Sequence, residues 1–269
     1  MPFIFPDFIF AKNSDLLVSA SNSNIIGKPF IQLVKVDSTN NYAMAQIHNG
    51  LAQHGSTWFA LSQTSGKGQR GKQWNAAQGL NILQTVVLDA SAFSLSNPFV
   101  LTMMVANACY DFFSGHAGDE TSIKWPNDIY WRDRKAGGIL IENIIRGAKW
   151  SWALVGTGIN INQTAFIDLP NPVSLKQITG KNYDSVEMGM ELCTHLQKQF
   201  EFYTANGAHA VHKIYNRHLY LCGKTTTLKK DNIVFSCIIE GVSLNGDLLV
   251  KDCAWSHFSF GEVEWIREK

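Results

Sequence analysis

The sequence predicts a mixed α/β domain followed by a small all-β module. Three observations carry that reading. Strand-like runs and helical periods alternate as far as residue 220. Between Val186 and Tyr203, the residues Val186, Met190, Cys193, Leu196, Phe200 and Tyr203 recur at steps of three or four, the period of an amphipathic helix. Beyond Leu221 the pattern shortens to brief strands and turns, with Asn245-Gly246 set between Ile238-Ile239 and Leu248-Leu249-Val250 as a hairpin turn. The chain is therefore divided into an extension over residues 1–30, a main domain over 31–220 and a β module over 221–269.

Taken in order, Ile31–Val36 alternates and reads as a strand, after which Ser38 or Thr39 caps a short helix ending near Gly50. Ser56–Gln63 is a second strand and Asn81–Leu88 a third. Pro98 then opens an apolar helix that ends near Gly115. Ile123–Trp125 and Ile129–Trp131 are short strands about a Pro-Asn-Asp turn. Lys135–Ile145 and Trp150–Asn162 form a long hairpin joined by Arg146-Gly147-Ala148. A second, shorter helix covers Ala208–Leu219. Residues 11–29, rich in Ser and Asn, read as irregular.

At 269 residues the chain buries a substantial core, and its net charge of +1 argues against a broad nucleic-acid footprint. Its five cysteines, Cys109, Cys193, Cys222, Cys237 and Cys253, are widely spaced and include no C-x-x-C pair. Buried thiols in a reducing cytosol are the reading, not a zinc knuckle or a disulfide framework. Met1–Phe10 is apolar but broken by Pro2, Pro6 and Asp7, unlike a signal peptide, and no run is long enough to span a bilayer. A soluble cytoplasmic protein is expected, with neither membrane nor nucleic acid as partner. His209 and His212 stand at helical spacing but lack a third ligand, and they read as solvated.

The richest stretch is Ser65-Gly66-Lys67-Gly68-Gln69-Arg70-Gly71-Lys72-Gln73-Trp74, where three glycines and three cations fall within seven residues without an acid. Glycine lets backbone N–H groups approach a ligand closely, and the cations supply charge, so the loop reads as an anion site. A solvated basic hairpin fits the same string. Gly66, Gly68 and Gly71 also match the dinucleotide fingerprint, and Gly66–Lys72 all but the last position of a P-loop. Both motifs need a helix to begin at the loop. The residues that follow, Gln73 to Gly79, carry no apolar helical period, so neither motif applies.

Four further segments accompany the loop: Asp37-Ser38-Thr39-Asn40, Lys124-Trp125-Pro126-Asn127-Asp128, Lys135-Ala136-Gly137-Gly138-Ile139-Leu140-Ile141-Glu142 and Gly156-Thr157-Gly158-Ile159-Asn160-Ile161-Asn162. In this order and spacing, residues 31–162 resemble the catalytic domain of biotin protein ligases, of the monofunctional type without an N-terminal DNA-binding domain. Gly246–Val250 and Gly261-Glu262-Val263 resemble that family's SH3-like C-terminal module, a small β-barrel. The resemblance implies a fold related to class II synthetase cores, a mixed sheet flanked by helices. It also implies the reaction. Biotin and Mg2+-bound ATP give biotinyl-5′-AMP, and a lysine of the biotin carboxyl carrier domain of a biotin-dependent carboxylase then takes the biotin.

The site residues are carried over from the same resemblance. Lys135 matches the lysine that contacts the carboxylate and α-phosphate; by itself it could be a surface lysine at a strand start. With Arg70 and Asp128 it forms the expected catalytic set. Ser38, Thr39, Gln63, Gly66, Lys67, Gly68, Lys135 and Gly138 are expected to bind biotin, although Ser38 and Thr39 serve equally as a helix N-cap. Lys67, Arg70, Trp74, Lys124, Asn127, Lys135 and Asn160 are expected around the adenylate, with Trp74 against the adenine. Asn127 and Asp128 are also ordinary residues for a tight turn. Lys67 stands where the family usually has arginine, and Gln69 where many members have a further base. The glycines beside Lys135 leave a ligand room to lie against the strand. Magnesium comes with ATP, and no protein metal site is expected. A lipoate–protein ligase is the nearest rival, a biotin-responsive repressor or an inactive binding module the others. A homodimer is left open.

Overall fold

The computed structural model describes residues 25–147, 149–166 and 171–266. Most of the expected N-terminal extension, residues 1–24, lies outside the described residues, as does Ala148 of the long hairpin. Among the described residues, sixteen α-helices and β-strands follow in order. These are β1 (Phe30–Leu33), α1 (Thr39–His48), β2 (Thr57–Ala60), β3 (Asn81–Asp89), α2 (Phe99–Ala117), β4 (Thr121–Lys124), β5 (Asp128–Trp131), β6 (Arg134–Arg146), β7 (Lys149–Asn160), α3 (Leu175–Thr179) and α4 (Ser185–Arg217). A second set of strands closes the chain: β8 (Thr225–Lys230), β9 (Ile233–Val242), β10 (Leu248–Lys251), β11 (His257–Phe258) and β12 (Glu264–Ile266).

The first seven strands form one mixed sheet in the order β1-β2-β3-β7-β6-β5-β4, with β1 and β2 parallel and the other neighbours antiparallel. Its two faces are covered differently. Against one lies α1, where Ala43 and Ile47 meet Trp58, Val87 and Leu154. Against the other lie α2 and α4, whose Met103, Phe112, Leu192 and Leu196 pack on Phe59, Ile82, Val155 and Ile159. Both faces of the central strands are thus buried, which is why β3 reads as a nearly unbroken apolar run. The remaining strands make a separate antiparallel sheet in the order β11-β10-β9-β8-β12. Its Leu228, Ile239, Leu248 and Phe258 continue the same core.

The two expected helices at 186–203 and 208–219 are one span that breaks at Gly207, where φ is +76°. Gly246 turns β9 into β10 with φ +96°. Other expectations need correction. Ser38 holds the N-cap position of α1 but makes no capping hydrogen bond through its side chain. His212 is half-buried, its Nε2 2.6 Å from the Val242 carbonyl oxygen, and only His209 of that pair is exposed. Among the cysteines Cys222 is exposed and Cys253 half-buried, whereas Cys109, Cys193 and Cys237 are buried. No helix among the described residues is long and apolar enough to cross a membrane.

Candidate active site

The glycine loop runs from β2 to β3 with a single helical turn, Gln69–Gly71, and no helix begins after it. Gly68 N–H donates to the Lys72 carbonyl and Trp74 N–H to that of Gly66, so the loop folds on itself. Gly66 is required by crowding: a Cβ there would stand 2.4 Å from the Trp74 carbonyl oxygen. Arg70 adopts the left-handed conformation, φ 55° and ψ 40°, which a non-glycine residue enters only at a cost. Beneath the loop is a cavity of about 460 Å³ lined by Gly66, Lys67, Gly68, Leu140 and Glu142 among others.

Beside it the sheet is stripped of side chains. Gly138 on β6 pairs with Gly158 on β7, and Asp128 on β5 pairs with Gly138, so the three point to one face. The Trp74 indole lies on that floor. A Cβ at Gly158 would fall 2.5 Å from Trp74 Cε2, and one at Gly138 would fall 3.2 Å from Trp74 Cζ3 and 3.5 Å from Lys135 Nζ. Trp74 Nε1 is buried without a hydrogen-bond partner.

Lys135 reaches this floor because of a bulge. The register steps from Ile129↔Gly137 to Tyr130↔Lys135, so Ala136 has no partner on β5. Strand side chains alternate, and one extra residue turns Lys135 to the face that Gly138 uses. There its Nζ donates to Asp128 Oδ1 at 2.7 Å and lies 5.7 Å from the Trp74 ring. The strand end is held from behind. Asn160 donates from its amide to the Lys135 carbonyl at 3.4 Å and to that of Val173 at 3.1 Å. Asn127, also buried, donates to the Ile139 carbonyl and accepts from its N–H.

The N-terminus of α1 faces the base of the loop. Gln63 Oε1 accepts from Thr39 N–H at 2.8 Å and from the Thr39 hydroxyl at 3.2 Å. Ser38 is buried beside them. Two expected residues point elsewhere. Lys124 Nζ sits in an aromatic box, 4.7 Å from the Tyr130 ring centre, 4.9 Å from that of Trp265 and 5.6 Å from that of Tyr220. The Arg70 guanidinium donates to the Gly261 carbonyl of the second sheet's last turn at 3.1 Å. Gln69 contributes a buried side-chain oxygen without a partner. Among the described residues no group of three His, Cys, Asp or Glu side chains is placed to hold a metal ion.

The structure thus gathers Lys135, Asp128, Gly138 and Trp74 on one floor, and Gly66, Lys67 and Gly68 around the adjoining cavity. Sequence reasoning passed over Gly158, Asn40, Thr85 and Glu142. The first two and Glu142 stand inside the motifs quoted above. Thr85 had a fainter signal, since Gln84 and Thr85 are polar neighbours in an otherwise apolar strand.

A floor without side chains, a paired lysine and carboxylate, and a cationic glycine loop thus lie together in one cleft. Residues 33–160 match the Biotin/lipoate A/B protein ligase family. The bifunctional ligase/repressor BirA of Bacillus spizizenii is 26% identical over 234 residues, covering 85% of this chain and 71% of that protein. The biotin–[acetyl-CoA-carboxylase] ligase of Paracoccus denitrificans is 35% identical over 132 residues, covering 48% and 53% respectively. Among solved structures, the biotin protein ligase of Aquifex aeolicus in complex with biotin and ATP superposes with a TM-score of 0.74. It is 22% identical, and the match covers 88% of this chain and 98% of that one. Over residues 33–160, just under half of its length, the chain is thus similar to that ligase family.

Proposed function

We infer that this protein is an ATP-dependent biotin protein ligase. It joins biotin to ATP as biotinyl-5′-AMP with release of pyrophosphate, then passes biotin to a lysine of a biotin carboxyl carrier domain. The observation that carries the reading is the Lys135–Asp128 pair standing over the Gly138–Gly158 floor. When a carboxylate attacks an α-phosphate, two anions meet and charge builds on the phosphoryl oxygens. Lys135 offsets that charge with Lys67 of the loop, and Arg70 joins them only once its guanidinium leaves the Gly261 carbonyl. A flat ligand lies on the glycines once the Trp74 ring lifts, and the ring then covers the adenine. Thr39, Gln63 and Ser38 receive the ureido head, and Gly66 and Gly68 offer backbone N–H groups. Lys124, Asn127 and Asn160 act from behind, by holding β4–β6 in place.

In the second half-reaction Asp128 accepts or orients the proton of the incoming lysine amine. Magnesium arrives on the ATP phosphates, since the two cleft carboxylates, Asp128 and Glu142, are each engaged by a lysine. The second sheet is read as the family's SH3-like module, and five free thiols suit a cytoplasmic location. Incubation with biotin, ATP and magnesium, with and without a carrier domain, tests the reading. Biotin-dependent pyrophosphate release and biotinylated carrier are expected. Turnover with lipoate in place of biotin would overturn it.

A further inference from the structure

Glu142 has no part in the chemistry above, yet its carboxylate is held at both oxygens. On β6, Oε1 lies 3.4 Å from Lys67 Nζ and Oε2 accepts from Asn40 Nδ2 at 2.7 Å. Asn40 is fixed in turn. It is only 3% exposed, its Oδ1 meets the Thr85 hydroxyl at 2.5 Å, and it lies so close to β7 that a Cβ at Gly156 would fall 2.4 Å from that oxygen. The Thr85 hydroxyl is also 2.8 Å from Thr39 Oγ1, which reaches Gln63 Oε1. Gln63 Nε2 lies under Gly66, 3.0 Å from where a Cβ would stand. The network therefore leaves the loop at Lys67 and returns to its base at Gln63.

A lysine head on a flexible four-carbon stem has no fixed position of its own. We propose that Glu142, aimed by Asn40, is the positioning residue that holds Lys67 over the cavity where a ligand carboxylate or phosphate is received. The ammonium has three donors, so it keeps Glu142 while donating to the anion. This assignment rests on the ligase reading of the cavity, and it makes a prediction of sign. A bystander carboxylate repels an anionic ligand, so neutralising it would tighten binding. A positioning carboxylate does the reverse.

Glu142→Gln tests this, because the amide oxygen still accepts from Asn40 while the charge facing Lys67 is gone. The KM for biotin should rise about 2- to 5-fold, the worth of a half-exposed ion pair, with kcat within about twofold. In a Lys67→Met background the same substitution should no longer raise KM, and relief of repulsion lowers it if anything. A lowered or unchanged KM in the parental background, or an equal rise in both backgrounds, overturns the proposal. Asn40→Asp sets a second carboxylate against Glu142 and should raise KM in the same way. Hydrogen exchange of the substrate-free protein separates this from the ligase reading. Amides of residues 65–74 should exchange faster in Glu142→Gln and in Lys67→Met, and no faster in the double variant. Additive acceleration refutes the coupling even if the protein proves to act on another acid.

Discussion

Gly158→Ala is the sharpest test of the glycine floor. An added Cβ would stand 2.5, 2.7 and 2.9 Å from Trp74 Cε2, Nε1 and Cζ2. Carbon–carbon contacts settle near 3.5–4.0 Å, so the deficit is about 1 Å. Gly138→Ala is a matched control, since its nearest contacts are 3.2–3.5 Å and need only a few tenths of an ångström. Neither glycine has a positive φ, so backbone strain does not enter. Overpacking costs about 1–3 kcal/mol in a rigid core. Trp74 follows exposed loop residues, and its ring lifts more readily than β7 bends, so the lower half of that range applies. That cost falls on the substrate-free protein, in which the ring rests on the floor, so denaturant unfolding without ligand should show a stability loss of about 1–2 kcal/mol for Gly158→Ala and less than about 0.5 kcal/mol for Gly138→Ala. A Trp74→Ala background should remove most of the difference. Stability of Gly158→Ala within about 0.5 kcal/mol of the parent, or a larger loss at Gly138, would refute a ring resting on the floor.

Lys135→Ala should slow pyrophosphate release about ten- to a hundredfold, the worth of one charge-assisted contact, with the thermal midpoint nearly unchanged. Asp128→Asn should keep most of that first step and lose much of the transfer when preformed adenylate is chased with carrier in a single turnover; unimpaired transfer would reverse the assignment. Gln69→Arg adds a fourth cation to the loop and should slow escape of the adenylate about 2- to 5-fold in a filter-retention chase. Burial holds the imidazoles of His54, His195 and His218 below their ordinary 6.5. The unfolded chain therefore binds more protons below that pH, so stability is full above pH 6.5 and falls on acidification. Melting curves from pH 8 to 5 should show a falling midpoint, shallower in His54→Gln, and a midpoint that rises with acid would contradict this.

The long periodic elements were legible in the sequence because one local rule governs each. The apolar steps of α4 and the Asn-Gly turn between β9 and β10 need no tertiary information. The helix α3 could have been found as well. Ser174 and Gln177 form a reciprocal capping box, and Gly180 closes the helix in a left-handed conformation. What stayed hidden depends on register. The bulge at Ala136 decides which face Lys135 uses, yet no residue there announces an unpaired position. Ser38 has the composition of a cap, but Gln63 takes the N–H and the hydroxyl of its neighbour Thr39 instead. The pairing of Gly138 with Gly158 links segments 20 residues apart by number, and only the antiparallel hairpin puts them side by side. His212 was misread because its partner, the Val242 carbonyl, comes from a strand 30 residues further on.

The segment from Lys124 to Asp128 faces two ways. At one end, Lys124 stands among Tyr220 and Trp265, and Trp125 donates its indole N–H to the Gly246 carbonyl at 2.8 Å with Phe260 packed on its edge. At the other end, Asp128 holds Lys135. Five consecutive residues thus serve as both hinge plate and fixture, and neither sheet can be exchanged between relatives as a free-standing cassette. A chimaera cut between residues 217 and 225 would have to carry the aromatic acceptors of Lys124 and the carbonyl acceptor of Trp125 along with the new sheet. A recipient lacking them would inherit the carboxylate of Asp128 without the scaffold that aims it.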